Sequence, residues 1–172
     1  READVFVSLE DRVRLAHQRG ADVFISLHAD ALAHGVAHGA RIFTLSDAAS
    51  DAASAALAER HDRLDILSGI DLNGADDVVT APRARALAQS VLAGIENATG
   101  DLYKLPLQQA AFSVLKAADI PSILVEAGFL STDQDLDNLI DPLWRAGFIA
   151  GLRDGLAAWV ISDRAEAALR RR

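Results

Sequence analysis

The chain has 172 residues, a formal net charge of −8, and 51% hydrophobic but only 5% aromatic residues; this length fits one domain whose core is mainly Ala, Leu, Val and Ile, a mixture suited to helices packed on a sheet. The acidic balance argues against a nucleic-acid surface, which needs clustered Lys and Arg, and the one dense cluster, Arg170 to Arg172, reads as a solvated helix end. Zero cysteines exclude disulfides and thiolate ligands, so any metal must be held by His, Asp or Glu; no apolar run approaches the roughly 18 residues of a membrane span and no signal peptide is present, so the chain is expected to be soluble.

Ser8 with Asp11 predicts a capping-box-like start to a short amphipathic helix carrying Val13, Leu15 and Ala16, which stops at Gly20. Val23 to Leu27 is β-branched and aromatic enough to form a strand buried on both faces, with His28 at its exit. Residues 31–39 read as a loop and Ala40 to Leu45 as a second strand. Ser46 then caps an alanine-rich helix running to about Leu67. Its apolar positions Ala49, Ala52, Ala53, Ala56 and Leu57 keep helical spacing but are small, so this helix buries little and docks weakly. Gly69 to Val79 is a loop of Gly, Asp and Asn. Pro82 sits near the first turn of a helix reaching about Asn97, with Leu87, Val91, Leu92 and Ile95 as its buried stripe. Phe112 to Leu115 and Ser122 to Val125 predict two more strands, Leu136 to Ile140 a short helix, and Phe148 to Leu169 a long terminal one. The alternation, with no repeat or low-complexity linker, predicts one α/β domain of three layers, a mostly parallel central sheet flanked by helices.

Two stretches carry chemistry. ISLHAD, 25–30, places His28 at the carboxyl end of a buried strand, where open α/β sheets keep their sites; for a single histidine the alternative is a satisfied residue capping the core. PSILVEAGFLST, 121–132, ends a second buried strand in Glu126, and an unpaired carboxylate there costs several kcal/mol. Glu126 is otherwise a buried partner for an Arg or a helix N-terminus. Two parallel strands ending side by side would bring His28 and Glu126 to one spot, which is what a metal-and-base site needs: Zn²⁺ held by imidazole and carboxylate, with a free carboxylate as general base.

DRVRLAHQRGADVFISLHADA at 11–31, GARIFTL at 39–45 and FSVLKAADIPSILVEAGFLST at 112–132 resemble the catalytic domain of zinc-dependent N-acetylmuramoyl-L-alanine amidases of the cell-division type, over nearly the whole chain. The resemblance implies cleavage of the amide joining the lactyl group of N-acetylmuramic acid to the first L-alanine of the peptidoglycan stem, with His28 a zinc ligand and Glu126 the catalytic glutamate. It also implies septal cell-wall splitting in the periplasm, by a monomer.

Against the family pattern, a first strand ending in a Gly-His-Gly-Gly-like motif and a glutamate on the next helix have no counterpart here, so the other zinc ligands are expected before Arg1 and the chain reads as a fragment. His17, His34 and His38 lie on a helix and a glycine-broken loop, and nothing in the pattern assigns them to metal. A further gap is expected between Val79 and Thr80. In the division amidases an insert after the second strand lies across the zinc until an activator with a LytM-type domain pulls it away. Residues 46–79 occupy that place here, and LAERHD, 57–62, offers His61 or Glu59 as the blocking side chain; the alternative is an ordinary solvated helix face.

Two expectations from different classes result. One is the zinc hydrolase, with Glu126 taking a proton from water and passing it to the leaving amine. The other is a non-catalytic module that recognises peptidoglycan without zinc.

Overall fold

The computed structural model describes residues 5–31, 37–46, 48–66, 80–116 and 119–170. His34, the loop of 69–79 with the expected join at Val79, and Arg171 and Arg172 lie outside the described residues. In chain order the elements are α1 (Leu9–Gln18), β1 (Phe24–Asp30), β2 (Ala40–Leu45), α2 (Ala52–Ile66), α3 (Ala81–Thr99), β3 (Leu102–Ala110), a 3₁₀ turn (Ser113–Leu115), β4 (Ser122–Phe129), α4 (Asp133–Ile140) and α5 (Pro142–Arg170).

The four strands form one sheet in the order β1-β4-β2-β3. β1 and β4 run parallel, as do β2 and β3, while β2 and β4 are antiparallel, so the sheet is mixed with two of its three pairings parallel. Alternation along each strand sends side chains to two faces. One face carries Ala40, Ile42, Ile123 and Val125 against Leu87, Val91 and Ile95 of α3 and Phe148 and Trp159 of α5. The other carries Phe43 and Leu124 against Leu57 and Ala58 of α2, Leu9 of α1 and Phe112. These are the three expected layers.

The two helical layers are unequal. α3 and α5 pack backbone to backbone because Gly94, Gly151 and Gly155 face each other: a Cβ at Gly151 would stand 2.5 Å from the Gly94 carbonyl oxygen. Ser90 Oγ donates to the Gly155 carbonyl across the same seam at 2.7 Å. α2 buries only Ser54, Leu57 and Ala58 among its described side chains. Burying one leucine is worth about 1.5–3 kcal/mol, so this helix is the lightly held element, as its alanines predict.

Several boundaries differ from expectation for local reasons. Ser8 caps α1 as predicted, accepting from the Asp11 N–H at 3.2 Å. Ser46 does not cap α2; the cap is Asp51, whose carboxylate accepts from the Ser54 N–H at 2.7 Å. The expected strand at 112–115 is the 3₁₀ turn, and the strand lies earlier, in β3. α5 begins at Pro142 rather than Phe148, since Asp141 accepts from the N–H groups of Leu143 (3.0 Å) and Trp144 (3.3 Å) and proline is pre-set for the first helical position. No helix among the described residues is long and apolar enough to cross a membrane.

Candidate functional site

The parallel β1–β4 register pairs His28 with Glu126, and the antiparallel β2–β4 register pairs Glu126 with Arg41. Directly paired residues share a face, so the three side chains form a row across the sheet on the side that α2 covers. The β1–β4 register shifts between His28 and Asp30, at the point where the strands leave the sheet. α2 then brings His61 over the row, with its ring 4.6 Å from that of His28, centroid to centroid. One ligand atom from each of His28, His61 and Glu126 lies within 4.8 Å of the others, a grouping able to hold a metal ion.

Hydrogen bonds fix the histidines. His28 Nε2 is 3.0 Å from Ser26 Oγ, and His61 Nε2 is 2.6 Å from Asp30 Oδ2. The other oxygen of Asp30 pairs with Arg60, which also donates to the Ala31 carbonyl at 2.9 Å. Glu126 differs: it is fully buried, and among the described residues neither carboxylate oxygen has a hydrogen-bond partner.

Burial dominates the electrostatics. It pushes the His28 imidazole down to about 4, with the neighbouring His61 adding to the effect, so His28 is neutral at neutral pH with a lone pair to offer. Burial, then the negative charge of Asp30, pushes Glu126 up to about 8, against the pull of Arg41, Arg60 and the Asp30 backbone. Asp30 itself is held below the usual carboxylate range by its bonds to Arg60 and His61, which outweigh the burial that acts first on it.

The structure brings together three of the four residues singled out in the sequence: His28, Glu126 and His61. Glu59 is not among them; it is exposed and pairs with Arg63 one turn along α2 at 2.7 Å. The acid of ISLHAD, Asp30, proves to be the anchor for α2, and Arg41, Gln108 and Arg60 complete the surroundings. The signal for Arg41 was available, since it is the one charged residue in the strand ARIFTL. Of the spare histidines, His17 meets Asp119 at the surface at 2.6 Å. His38 lies near Asp101 and Asp135, where Asp135 is already engaged by the N–H groups of Phe129 (2.7 Å) and Gly39.

A profile of the N-acetylmuramoyl-L-alanine amidases matches residues 1–158. The amidase AmiA of Escherichia coli (strain K12) is 32% identical over 171 residues, covering 92% of this chain and 59% of that protein. AmiC of Neisseria meningitidis serogroup B is 35% identical over 142 residues, covering 76% and 34%. The chain thus spans about three-fifths of the length of AmiA and about a third of AmiC. Among solved structures, an N-acetylmuramoyl-L-alanine amidase from Clostridium difficile 630 superposes with a TM-score of 0.69 at 24% identity, over 94% of this chain and 70% of that one. AmiC2 of Nostoc punctiforme superposes with a TM-score of 0.67 at 21% identity, over 93% and 69%. At these identities the superpositions speak to the fold.

Proposed function

The chain belongs to the N-acetylmuramoyl-L-alanine amidase family, and from that premise we propose that it is a zinc-dependent peptidoglycan hydrolase. It cuts the amide between the lactyl group of N-acetylmuramic acid and the L-alanine of the stem peptide. The observation that carries this reading is the register pairing of His28 with Glu126 at the ends of two parallel strands.

The residues fit zinc. His28 offers a neutral imidazole, and it lies in a grouping with His61 and Glu126 whose ligand atoms are within 4.8 Å of one another. His28 is assigned as a ligand, with the remaining ligands supplied from outside the described residues. When bound, zinc supplies a Lewis acid for the amide carbonyl and lowers the pKa of water near it. Glu126 takes the proton of the attacking water on its carboxylate and returns it to the departing L-alanine nitrogen. Its two oxygens, without a hydrogen-bond partner among the described residues, are free to take that proton and give it back. His28 and Glu126 are set on strands rather than loops, which keeps their separation constant through the reaction.

The segment of about 46–79 is assigned as a regulatory insert. Its described part, α2, lays His61 on His28 and is lightly buried, an arrangement that supports an autoinhibited resting state with His61 as the blocking group. Release by a LytM-domain activator, action at the septum, a periplasmic location and a monomeric state complete the reading. The deciding experiment is digestion of purified peptidoglycan by the full-length protein, with zinc content measured alongside. Release of stem peptides with a free L-alanine amine, by protein carrying about one zinc per chain, supports the hydrolase; peptidoglycan binding without zinc or cleavage supports the non-catalytic module instead.

A further inference from the structure

Arg41 is 2% exposed, at the second position of β2, and among the described residues its guanidinium makes a single hydrogen bond, from Nη1 to Gln108 Oε1 at 3.1 Å. Among the described residues its Nε and Nη2 have no hydrogen-bond partner. A buried cation left in this state costs several kcal/mol unless an opposite charge compensates it. Three rings wall the guanidinium, those of Phe43 (4.7 Å from Cζ to centroid), Phe129 (4.8 Å) and Tyr103 (5.2 Å), and their faces offset part of that cost. The rest falls to the carboxylate across the strand pair: Arg41 and Glu126 are register partners on the same face, and Glu126 too is buried, with neither oxygen hydrogen-bonded among the described residues. Among the described residues no salt bridge joins them, and Gln108 holds the Nη1 end of the fork. Gln108 is itself fixed, accepting from Ser54 Oγ at 3.2 Å and donating to Asp51 Oδ2 at 3.3 Å.

We propose that Arg41 is a positioning residue for Glu126: tethered by Gln108 and walled by three rings, it sets a fixed positive charge behind the carboxylate, which holds the carboxylate in place without occupying its oxygens. This inference rests on the amidase reading for its kinetic consequence but not for its structural one. A closed Arg–Glu salt bridge would take up the oxygens that must meet a proton. A charge kept back by the tether leaves them free. The direction of the electrostatics agrees, since Glu126 is the leading charge that favours the protonated Arg41 against its burial.

Two readouts test this in the zinc-loaded, full-length protein. The first is a thermal double-mutant cycle of Arg41→Met, Glu126→Gln and the pair. Each single change leaves one buried group uncompensated, so the double variant should melt about 3 °C or more above the additive expectation; additive melting temperatures would overturn the coupling. Arg41→Gln replaces the methionine variant if that fails to fold. The second readout is kinetic. Arg41→Met should lower kcat about tenfold or more with KM changed less than about twofold and zinc content unchanged, and Arg41→Lys should recover a large part of the loss. An undiminished kcat in Arg41→Met, or a loss that lysine leaves untouched, overturns the positioning role. An inactive wild-type protein counts against the amidase reading alone, and the melting cycle still decides whether Arg41 and Glu126 are coupled.

Discussion

His28 and Glu126 face each other across the parallel β1–β4 pair, and in the metal-free protein the same burial disfavours the charged form of each. Their roles are separable by substitution. Glu126→Gln keeps the shape of the side chain and removes only its capacity to exchange a proton. Zinc content should therefore stay at the wild-type level while amide cleavage falls by about 10²–10⁴. Zinc and activity lost together would make Glu126 a ligand.

His28→Ala should have the opposite signature. The imidazole is only half-buried and its one hydrogen bond among the described residues is to Ser26 in the next pleat of the same strand, so the fold should survive. Metal analysis of the folded variant should find zinc lost, and stoichiometric zinc would remove His28 from the ligand set.

How far this site was legible in the sequence depends on the kind of contact involved. His28 and Glu126 could be paired because each ends a dense apolar run and parallel neighbours align their ends, although β1, expected to be buried on both faces, is an edge strand with Leu27 59% exposed. The helical stripe of Leu87, Val91, Leu92 and Ile95 was equally readable, and all four are buried. β3 was missed because its sequence, LYKLPLQQA, lacks a two-residue alternation and contains a proline. It is an edge strand whose register against β2 shifts between Ala40 and Ile42, which is where a proline is tolerated. Gln108 was invisible for the same reason, since its buried role exists only once β3 is beside β2. The row from His28 through Glu126 to Arg41 needs the antiparallel β2–β4 pairing, and nothing local to residue 41 encodes that neighbour.

Asp135 offers a test of the frame rather than of the chemistry. Its buried carboxylate accepts from the N–H of Phe129 at 2.7 Å and of Gly39 at 3.1 Å, tying the end of β4 to the start of β2. Asp135→Ala leaves both buried donors unsatisfied, which should cost about 2–4 kcal/mol. Chemical denaturation measures this directly, and a loss under about 0.5 kcal/mol would mean that the frame does not depend on the tie.

The metal-free protein should lose stability as pH rises from about 6.5 to about 8. The unfolded chain releases the Glu126 proton near its ordinary value of 4.5 while the folded protein holds it to about 8, so folding is penalised progressively between those values. His28 acts oppositely, because the unfolded chain takes up its proton near 6.5 and the folded protein not until about 4. The two slopes offset each other below about 6.5, and only the Glu126 slope remains above it. The change across that upper window is about 2 kcal/mol. Denaturant titrations of metal-free wild type and Glu126→Gln check this: the variant should show a flat profile there, and an equal slope in both would assign the effect to another group.

The regulatory reading is tested at the anchor of α2. Asp30, two residues beyond His28, binds His61 through one oxygen and Arg60 through the other, and Asp62 accepts from the Ser113 N–H (3.1 Å) and Oγ (2.9 Å), so the helix is held at the site mainly by polar contacts, of which Asp30 is the latch at His28. If a helix of this kind is docked by about 2–3 kcal/mol, roughly 1–3% of molecules are open at any moment, and releasing it can raise the rate some tens-fold. His61→Ala combined with Arg60→Ala removes both arms of the latch while leaving His28 and Glu126 in their strands. Such a variant, zinc-loaded and folded, should cleave purified peptidoglycan some tens-fold faster than wild type without any activator. Glu59→Ala, on the exposed side and paired with Arg63, should change the rate far less. A latch variant no faster than wild type would return α2 to the plain role of a surface helix. A gain from Glu59→Ala matching that of the latch variant would show that release does not run through His61.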